Sequence, residues 1–242
     1  MLEIADDVFQ ISVFPRKAVN VYLIGSIIVD AGVRSSAALL KRAIGKRALT
    51  GHVLTHAHAD HQGASAFLCA HYRLPLWCGT PDVARAQSGQ VTEEYANPRN
   101  PIARLQQHVW AGPGHPVDRA LRDGDMVGDF LVIETPGHAS GHVALWRERD
   151  RVLIAGDVLV NMDMLTTRPG LHEPPALFTH DIAQNRQSIR KIAALQPRVI
   201  GFGHGPVFRD PDALLPQPWP FAPRPQRRQV PQALAHPHRP GA

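Results

Sequence analysis

The sequence predicts an α/β protein built as two half-domains, on three observations. Short β-rich runs open the chain and give way to helical segments, and the same order returns in the second half. The 242 residues are 44% hydrophobic and 19% charged, which suits one folded domain with a substantial core. No close internal sequence repeat accompanies the repeated element order.

Residues 8–14, 20–25 and 27–30 read as antiparallel strands, divided by Pro15 and Gly25. Ser35 or Ser36 is expected to cap a helix running through Ile44, followed by a short strand at 52–55, a helix at 63–72 and a strand at 76–79. Residues 81–116 look like an insertion, in which Pro98, Pro101, Pro113 and Gly114 interrupt a helical stretch around 102–110. Strands resume at 130–135, 143–147 and 151–155, the last two joined by a Glu148-Arg149-Asp150 turn. Asp181 should cap a helix to Leu195 with Ile182, Ile189 and Ile192 near one face, and 199–202 is a final strand. After Val207 the composition changes, with nine prolines from Pro211 to Pro240. The expected organisation is therefore one domain over 1–208 and an extended or disordered tail over 209–242.

The formal charge is +5, but five arginines against two aspartates from Arg209 onward carry most of it, leaving a nearly neutral body. That balance argues against a nucleic-acid partner. Lys41, Arg42, Lys46 and Arg47 fall at a helix C-terminus, where cations complement the macrodipole. Two cysteines, Cys69 and Cys78, are too few for a disulfide framework. The acidic N-terminus and the lack of a long apolar run lead us to expect a cytoplasmic protein that meets no membrane.

The chemistry concentrates in Thr55-His-Ala-His-Ala-Asp-His61, where three histidines and an aspartate occupy six positions after a strand. Residues two apart in extended chain point the same way, so His56 and His58 can grip one metal. If Asp60 and His61 begin the next helix, the turn carries them to a neighbouring position where they can grip a second. Three further candidates follow strand ends beside glycine: His138 in Thr-Pro-Gly-His, Asp157 in Ala-Gly-Asp and His204 in Gly-His-Gly-Pro. Strand ends along one sheet edge converge in space.

Taken in order, THAHADH, TPGHASGH, AGD and GHGP resemble the motifs of the metallo-β-lactamase superfamily over residues 1–208. The resemblance implies an αββα four-layer sandwich with metals at the edge between two sheets. It implies that His56, His58 and His138 bind one metal, that Asp60, His61 and His204 bind another, and that Asp157 bridges them. Asp30 resembles the family's supporting aspartate, and His142 is a candidate donor behind the ligands. Imidazole and carboxylate donors suit Zn(II), Fe(II) or Mn(II), with two Zn(II) the first expectation. The implied activity is hydrolysis of an ester or thioester of a small molecule by a metal-bridging hydroxide, with Asp60 also acting catalytically as proton carrier.

Departures from individual subfamilies narrow this. His58 stands where flavodiiron proteins carry glutamate, and Asp157 stands where β-lactamases generally lack the bridging aspartate. The ligand set is similar to that of glyoxalase II, but the helical glutathione-binding C-terminal domain of that family is replaced here by the proline-rich tail. Acyl-homoserine lactonases share the ligands, so a lactone is an alternative substrate. Persulfide dioxygenases share THxHADH with a single iron, and a nuclease or a non-catalytic binding protein complete the alternatives. The segments 81–116 and 161–175 are expected to form the substrate pocket; Arg168 and His172 of the second could touch substrate, with a solvated loop their default reading. His52, His71, His108, His115 and His180 lack ligand spacing and are expected at the surface or as caps; Trp146 reads as core.

Overall fold

In the computed structural model, residues 1–209 are described, and nearly all of the proline-rich segment, 210–242, lies outside the described residues. The first half runs β1 (Leu2–Ala5), β2 (Val8–Ser12), β3 (Asn20–Ile24), β4 (Ile27–Val29), α1 (Ala37–Ile44), β5 (Gly51–Val53), α2 (Ala59–Gln62), α3 (Ser65–Tyr72), β6 (Leu76–Gly79), α4 (Val83–Ser88), α5 (Pro101–Val109) and β7 (Arg119–Leu121). The second half runs β8 (Met126–Val127), β9 (Phe130–Glu134), β10 (Val143–Arg147), β11 (Val152–Gly156), β12 (Val160–Met162), β13 (Pro169–His172), α6 (Ile182–Ala194), β14 (Val199–Phe202) and β15 (Phe208–Arg209).

The seven strands β1 to β7 form one sheet in sequence order, antiparallel up to β4 and parallel from β4 to β7. The change follows from the connections, because hairpin turns join the first four strands while α1, α3 and α5 supply the longer crossovers that parallel neighbours need. The second sheet has the order β15-β14-β11-β10-β9-β8, with the β10–β11 hairpin where the Glu-Arg-Asp turn predicts it.

Three apolar cores hold the layers. One packs Leu40, Ile44 and Leu68 of the first helices against Ile28, Leu54 and Leu76 of the first sheet. A second lies between the sheets, with Tyr22, Val29 and Val53 facing Phe130, Leu145 and Ile154. A third joins Ile189 and Ile192 of α6 to Leu153, Ile200 and Trp146. Helix, sheet, sheet, helix is the expected αββα sandwich. Successive strand residues point to opposite faces, so central strands buried on both sides are apolar nearly throughout, as in β11 and in β10 up to its terminal Arg147.

Some local expectations change. The helix expected at 63–72 starts two residues later, as α3, because Gly63 and Ala64 separate it from the short α2 that carries Asp60 and His61. A side chain at Gly63 would meet the backbone of Val33, Arg34 and Trp110 within 2.5 Å, so this bend is where three segments touch. Ser36 sits at the N-cap of α1 but makes no capping hydrogen bond through its side chain, whereas Asp181 does cap α6 by accepting from the Gln184 amide at 2.9 Å.

His52 is the clearest correction. It was expected at the surface or as a cap, but it is wholly buried in β5, between β4 and β6. Both ring nitrogens are satisfied: Nδ1 donates to the Ile28 carbonyl at 3.2 Å and Nε2 accepts from the Ser65 hydroxyl at 2.8 Å. Burial pushes its pKa down to about 4. Between pH 6.5 and pH 4 the unfolded chain therefore takes up a proton that the folded chain refuses, and stability falls as the pH drops through that window. By pH 5 this residue should cost about 2 kcal/mol relative to pH 7.5. Urea unfolding of wild type and His52→Gln at both pH values measures it; parallel losses in the two proteins would contradict it. His71, His108 and His180 are exposed and His115 is half-buried.

Candidate metal centre

The seven histidines and aspartates singled out by sequence come from four places and meet at one edge of the sandwich. His56 and His58 lie between β5 and α2, Asp60 and His61 are in the first turn of α2, His138 follows β9, Asp157 directly follows β11, and His204 follows β14. Ligand atoms of His56, His58 and His138 lie within 4.8 Å of one another, as do those of Asp60, His61 and His204. Asp157 joins the two sets. Its Oδ2 lies 3.7 Å from His138 Nε2, 3.4 Å from His61 Nε2 and 2.9 Å from His204 Nε2. His204 Nε2 is also 3.4 Å from Asp60 Oδ2.

Most of these rings are anchored through one nitrogen so that the other faces the cluster, the arrangement that fixes an imidazole ligand's tautomer. His61 Nδ1 meets Asp30 Oδ2 at 2.9 Å, His138 Nδ1 meets Thr179 Oγ1 at 3.2 Å, His56 Nδ1 meets Thr55 Oγ1 at 3.1 Å, and His204 Nδ1 donates to the Ala18 carbonyl. Asp30 also accepts from the Thr55 amide at 2.8 Å, so one carboxylate orients His61 and the start of the histidine-rich turn together. Its backbone adopts φ +63°, a left-handed conformation that aspartate tolerates better than most residues. His142 is buried beside the ligands. Its Nδ1 meets Thr135 Oγ1 at 2.7 Å and its Nε2 accepts from the Asp157 amide at 2.9 Å, so it fixes the backbone that presents the central carboxylate.

The donor set fits a pair of divalent cations. His56 Nε2, His58 Nε2 and Asp157 Oδ1 are buried and have no hydrogen-bond partner among the described residues. Leaving such atoms bare inside a protein costs free energy, which a bound cation recovers. Space for the cluster is kept by Gly203, where a side chain would lie 2.0 Å from Asp157 Oδ1 and 2.6 Å from His61 Cε1. Burial, reinforced by neighbouring histidines, holds His56 and His58 well below the usual histidine range, and burial lowers His138 to about 4. All three are therefore neutral at pH 7, the form that binds metal. Burial opposes charge on the other three as well, but mutual attraction wins. His204 and His61 hold Asp157 well below the usual carboxylate range, while Asp157 and Asp30 raise His61, and Asp157 and Asp60 raise His204 to about 9. A carboxylate field that draws protons onto imidazoles draws metal cations by the same Coulombic attraction.

Comparison with known proteins agrees with this geometry. Residues 15–204 match the family model of the metallo-β-lactamase superfamily. The chain belongs to that superfamily. Among its relatives is a probable metallo-hydrolase, YflN of Bacillus subtilis, 31% identical over 198 residues that make up 74% of this chain and 75% of the relative. A hydroxyacylglutathione hydrolase of Bdellovibrio bacteriovorus is 28% identical over 63% of this chain, but the match spans only 47% of that enzyme. Of the solved structures, a protein crystallised in a di-iron-bound form is 26% identical with a TM-score of 0.62, covering 83% of this chain and 94% of that one. The subclass B3 metallo-β-lactamase BJP-1 of Bradyrhizobium japonicum has the same TM-score at 23% identity, covering 84% of this chain and 76% of that one, a likeness of fold. The superfamily binds divalent metals through His/Asp clusters, and this member is a metal-dependent hydrolase.

Sequence reasoning missed the group that couples the two loops of this hydrolase's centre. Asp82, buried just past β6, accepts from the Ala57 amide at 2.6 Å and from the Gly141 amide at 2.9 Å. Ala57 lies between His56 and His58, and Gly141 is three residues after His138. Arg85 pairs with both Asp82 and Glu94, and Glu94 Oε1 accepts from the Ser140 amide at 2.9 Å. Tyr95 was missed too; its ring meets that of His58 edge-on at 4.7 Å and that of Phe178 at 5.3 Å. The sole sequence signal was an acid after a strand in Gly-Thr-Pro-Asp82, which is common in any turn. Arg168 and His172 do not line the cavity over the cluster, although Met164 and Leu165 of the same loop do. Among the described residues, no helix is long and apolar enough to cross a membrane.

Proposed function

We propose that the protein hydrolyses a carboxylic ester or thioester of a small molecule at a binuclear centre, with His56, His58 and His138 holding one metal, Asp60, His61 and His204 the other, and Asp157 shared. One observation carries the reading: a ligand cluster with bare, inward-facing donor atoms forms the floor of a cavity of about 420 Å³ open to solvent. When bound, the metal pair supplies Lewis acidity and lowers the pKa of water enough for a nucleophile to exist at neutral pH. Two Zn(II) ions suit this all His/Asp set, with Fe(II) or Mn(II) the alternatives.

The protein's own groups do the rest. Asp60 reaches the cavity from the first turn of α2. Its carboxylate accepts the proton of the attacking water and returns it to the leaving alkoxide or thiolate. The water oxygen bonds to the carbonyl carbon, the C–O or C–S bond breaks, and the products are an acid and an alcohol or thiol. A substrate seated against the apolar walls would displace water from the floor and strengthen the electrostatics there. A complete second ligand set favours two metals over the single iron of a dioxygenase, and a cavity with no lysine or arginine among the described residues favours a small substrate over a nucleic acid. The domain boundary is proposed near residue 208, and the cytoplasm is the proposed location.

The test is metal quantification on purified protein, chelation, and reconstitution with Zn(II), Fe(II) or Mn(II), each form assayed on thioesters, lactones, simple esters, phosphodiesters and persulfides. The expected result is about two metals per chain and chelator-sensitive cleavage of a carbonyl ester or thioester. One iron per chain with oxygen uptake on a persulfide would overturn it.

A further inference from the structure

Above its charged floor the cavity is walled almost entirely by carbon. Phe14, Ile102, Trp110, Leu165, Leu177 and Phe178 face it from four different segments, and among the described residues no lysine or arginine does so. Two arginines of the surrounding segments are engaged elsewhere. Arg34, whose amide donates to the Trp110 carbonyl, gives its side-chain N–H groups to Ala111, and Arg85 is paired with Asp82 and Glu94. A substrate carrying its own carboxylate would have to give up its hydration to such a wall without a paired cation, which is costly. An alkyl chain gains from the same burial.

The geometry points to an uncharged acyl chain of several carbons as the group this cavity selects, its carbonyl at the His/Asp floor and its tail against Trp110, Leu177 and Phe178. Neutral thioesters are therefore expected to be preferred over glutathione thioesters, whose peptide carries two carboxylates. The inference rests on the ester or thioester reading above and narrows it to one substrate class.

Two measurements on the holoenzyme separate the two claims. The first is kcat/KM for N-acetylcysteamine thioesters from acetyl to octanoyl, beside the glutathione thioesters of the same acids. Each methylene entering the cavity should raise kcat/KM about fourfold, so hexanoyl should exceed acetyl on the order of 10²-fold. The neutral thioester should also outpace its glutathione counterpart. The second is binding of acetamide, hexanamide and octanamide, followed by Trp110 fluorescence with Trp110→Phe as control; Kd should tighten by the same factor per methylene. Leu177→Arg should flatten both series and favour a glutaryl over a hexanoyl thioester.

Thioester cleavage without dependence on acyl length, or with preference for the glutathione form, would overturn the apolar-acyl inference and leave the hydrolase reading standing. Amide binding with the expected slope but no cleavage of any ester or thioester would overturn the reaction and support the cavity assignment. Neither slope nor cleavage would overturn both.

Discussion

Asp157→Ala should leave a folded protein that binds one metal or fewer and hydrolyses its substrate at least roughly 10³-fold more slowly, the scale of the several kcal/mol that a metal contributes to transition-state charge. The reasoning is geometric. One carboxylate oxygen lies within 3.7 Å of ligand nitrogens from both sets, His138 on one side and His61 and His204 on the other. Removing it takes an anion from the middle of the cluster, so in the proposed binuclear centre each metal would lose a donor and the two cations would lose the charge that screens them from each other. Asp157→Asn separates charge from shape: it keeps a donor oxygen and nearly the same volume, and should retain more metal than alanine while still losing most activity. Metal analysis and kcat/KM on the three proteins decide the matter. Two metals per chain and activity within tenfold of wild type in Asp157→Ala would show that the carboxylate is not shared.

Much of this candidate centre could be read from the sequence because its candidate ligands announce themselves locally. His56, His58, Asp60 and His61 fall within six residues, and His138, Asp157 and His204 each stand beside glycine just past an apolar strand. Strands with strong apolar runs, such as β10, were legible for the same reason. The four-layer arrangement came from the family resemblance, since periodicity does not say which faces meet. Two- to four-residue strands such as β8, β12 and β13 were missed because so few residues carry no pattern. His52 was misread because a histidine in a strand looks polar until the Ser65 hydroxyl and the Ile28 carbonyl are seen to satisfy it. The cavity shows the same division. Tyr95, Ile102 and Trp110 come from the foreseen 81–116 segment and Met164 and Leu165 from the second, but Phe14, Leu177 and Phe178 arrive from elsewhere through tertiary packing.

Asp82 was beyond the reach of sequence reading, because its partners lie 25 and 59 residues away, and it carries the second large prediction. It touches no cluster atom directly and acts by position. One oxygen holds the amide between His56 and His58, the other the amide of the loop that bears His138, and these three histidines form one ligand set. Burial raises its pKa, Arg85 opposes that, and the ion pair with Arg85 is what keeps a charge tolerable there. Asp82→Ala should therefore be destabilising by roughly 3–5 kcal/mol, as expected when one partner of a buried ion pair is removed, and that variant tests stability alone. Asp82→Asn is the sharper probe. Its single oxygen can satisfy one amide, while its NH₂ group must face the other N–H, so one of the two loops is released. For a residue that orients ligands, we expect metal affinity to fall by roughly 10- to 100-fold, concentrated in the set that includes His138. Competition with a chromophoric chelator would show a weakened first site and a second site close to wild type, and added metal should recover activity. A purely structural role would instead lower the unfolding midpoint and leave both affinities unchanged, which would remove Asp82 from the machinery of the centre.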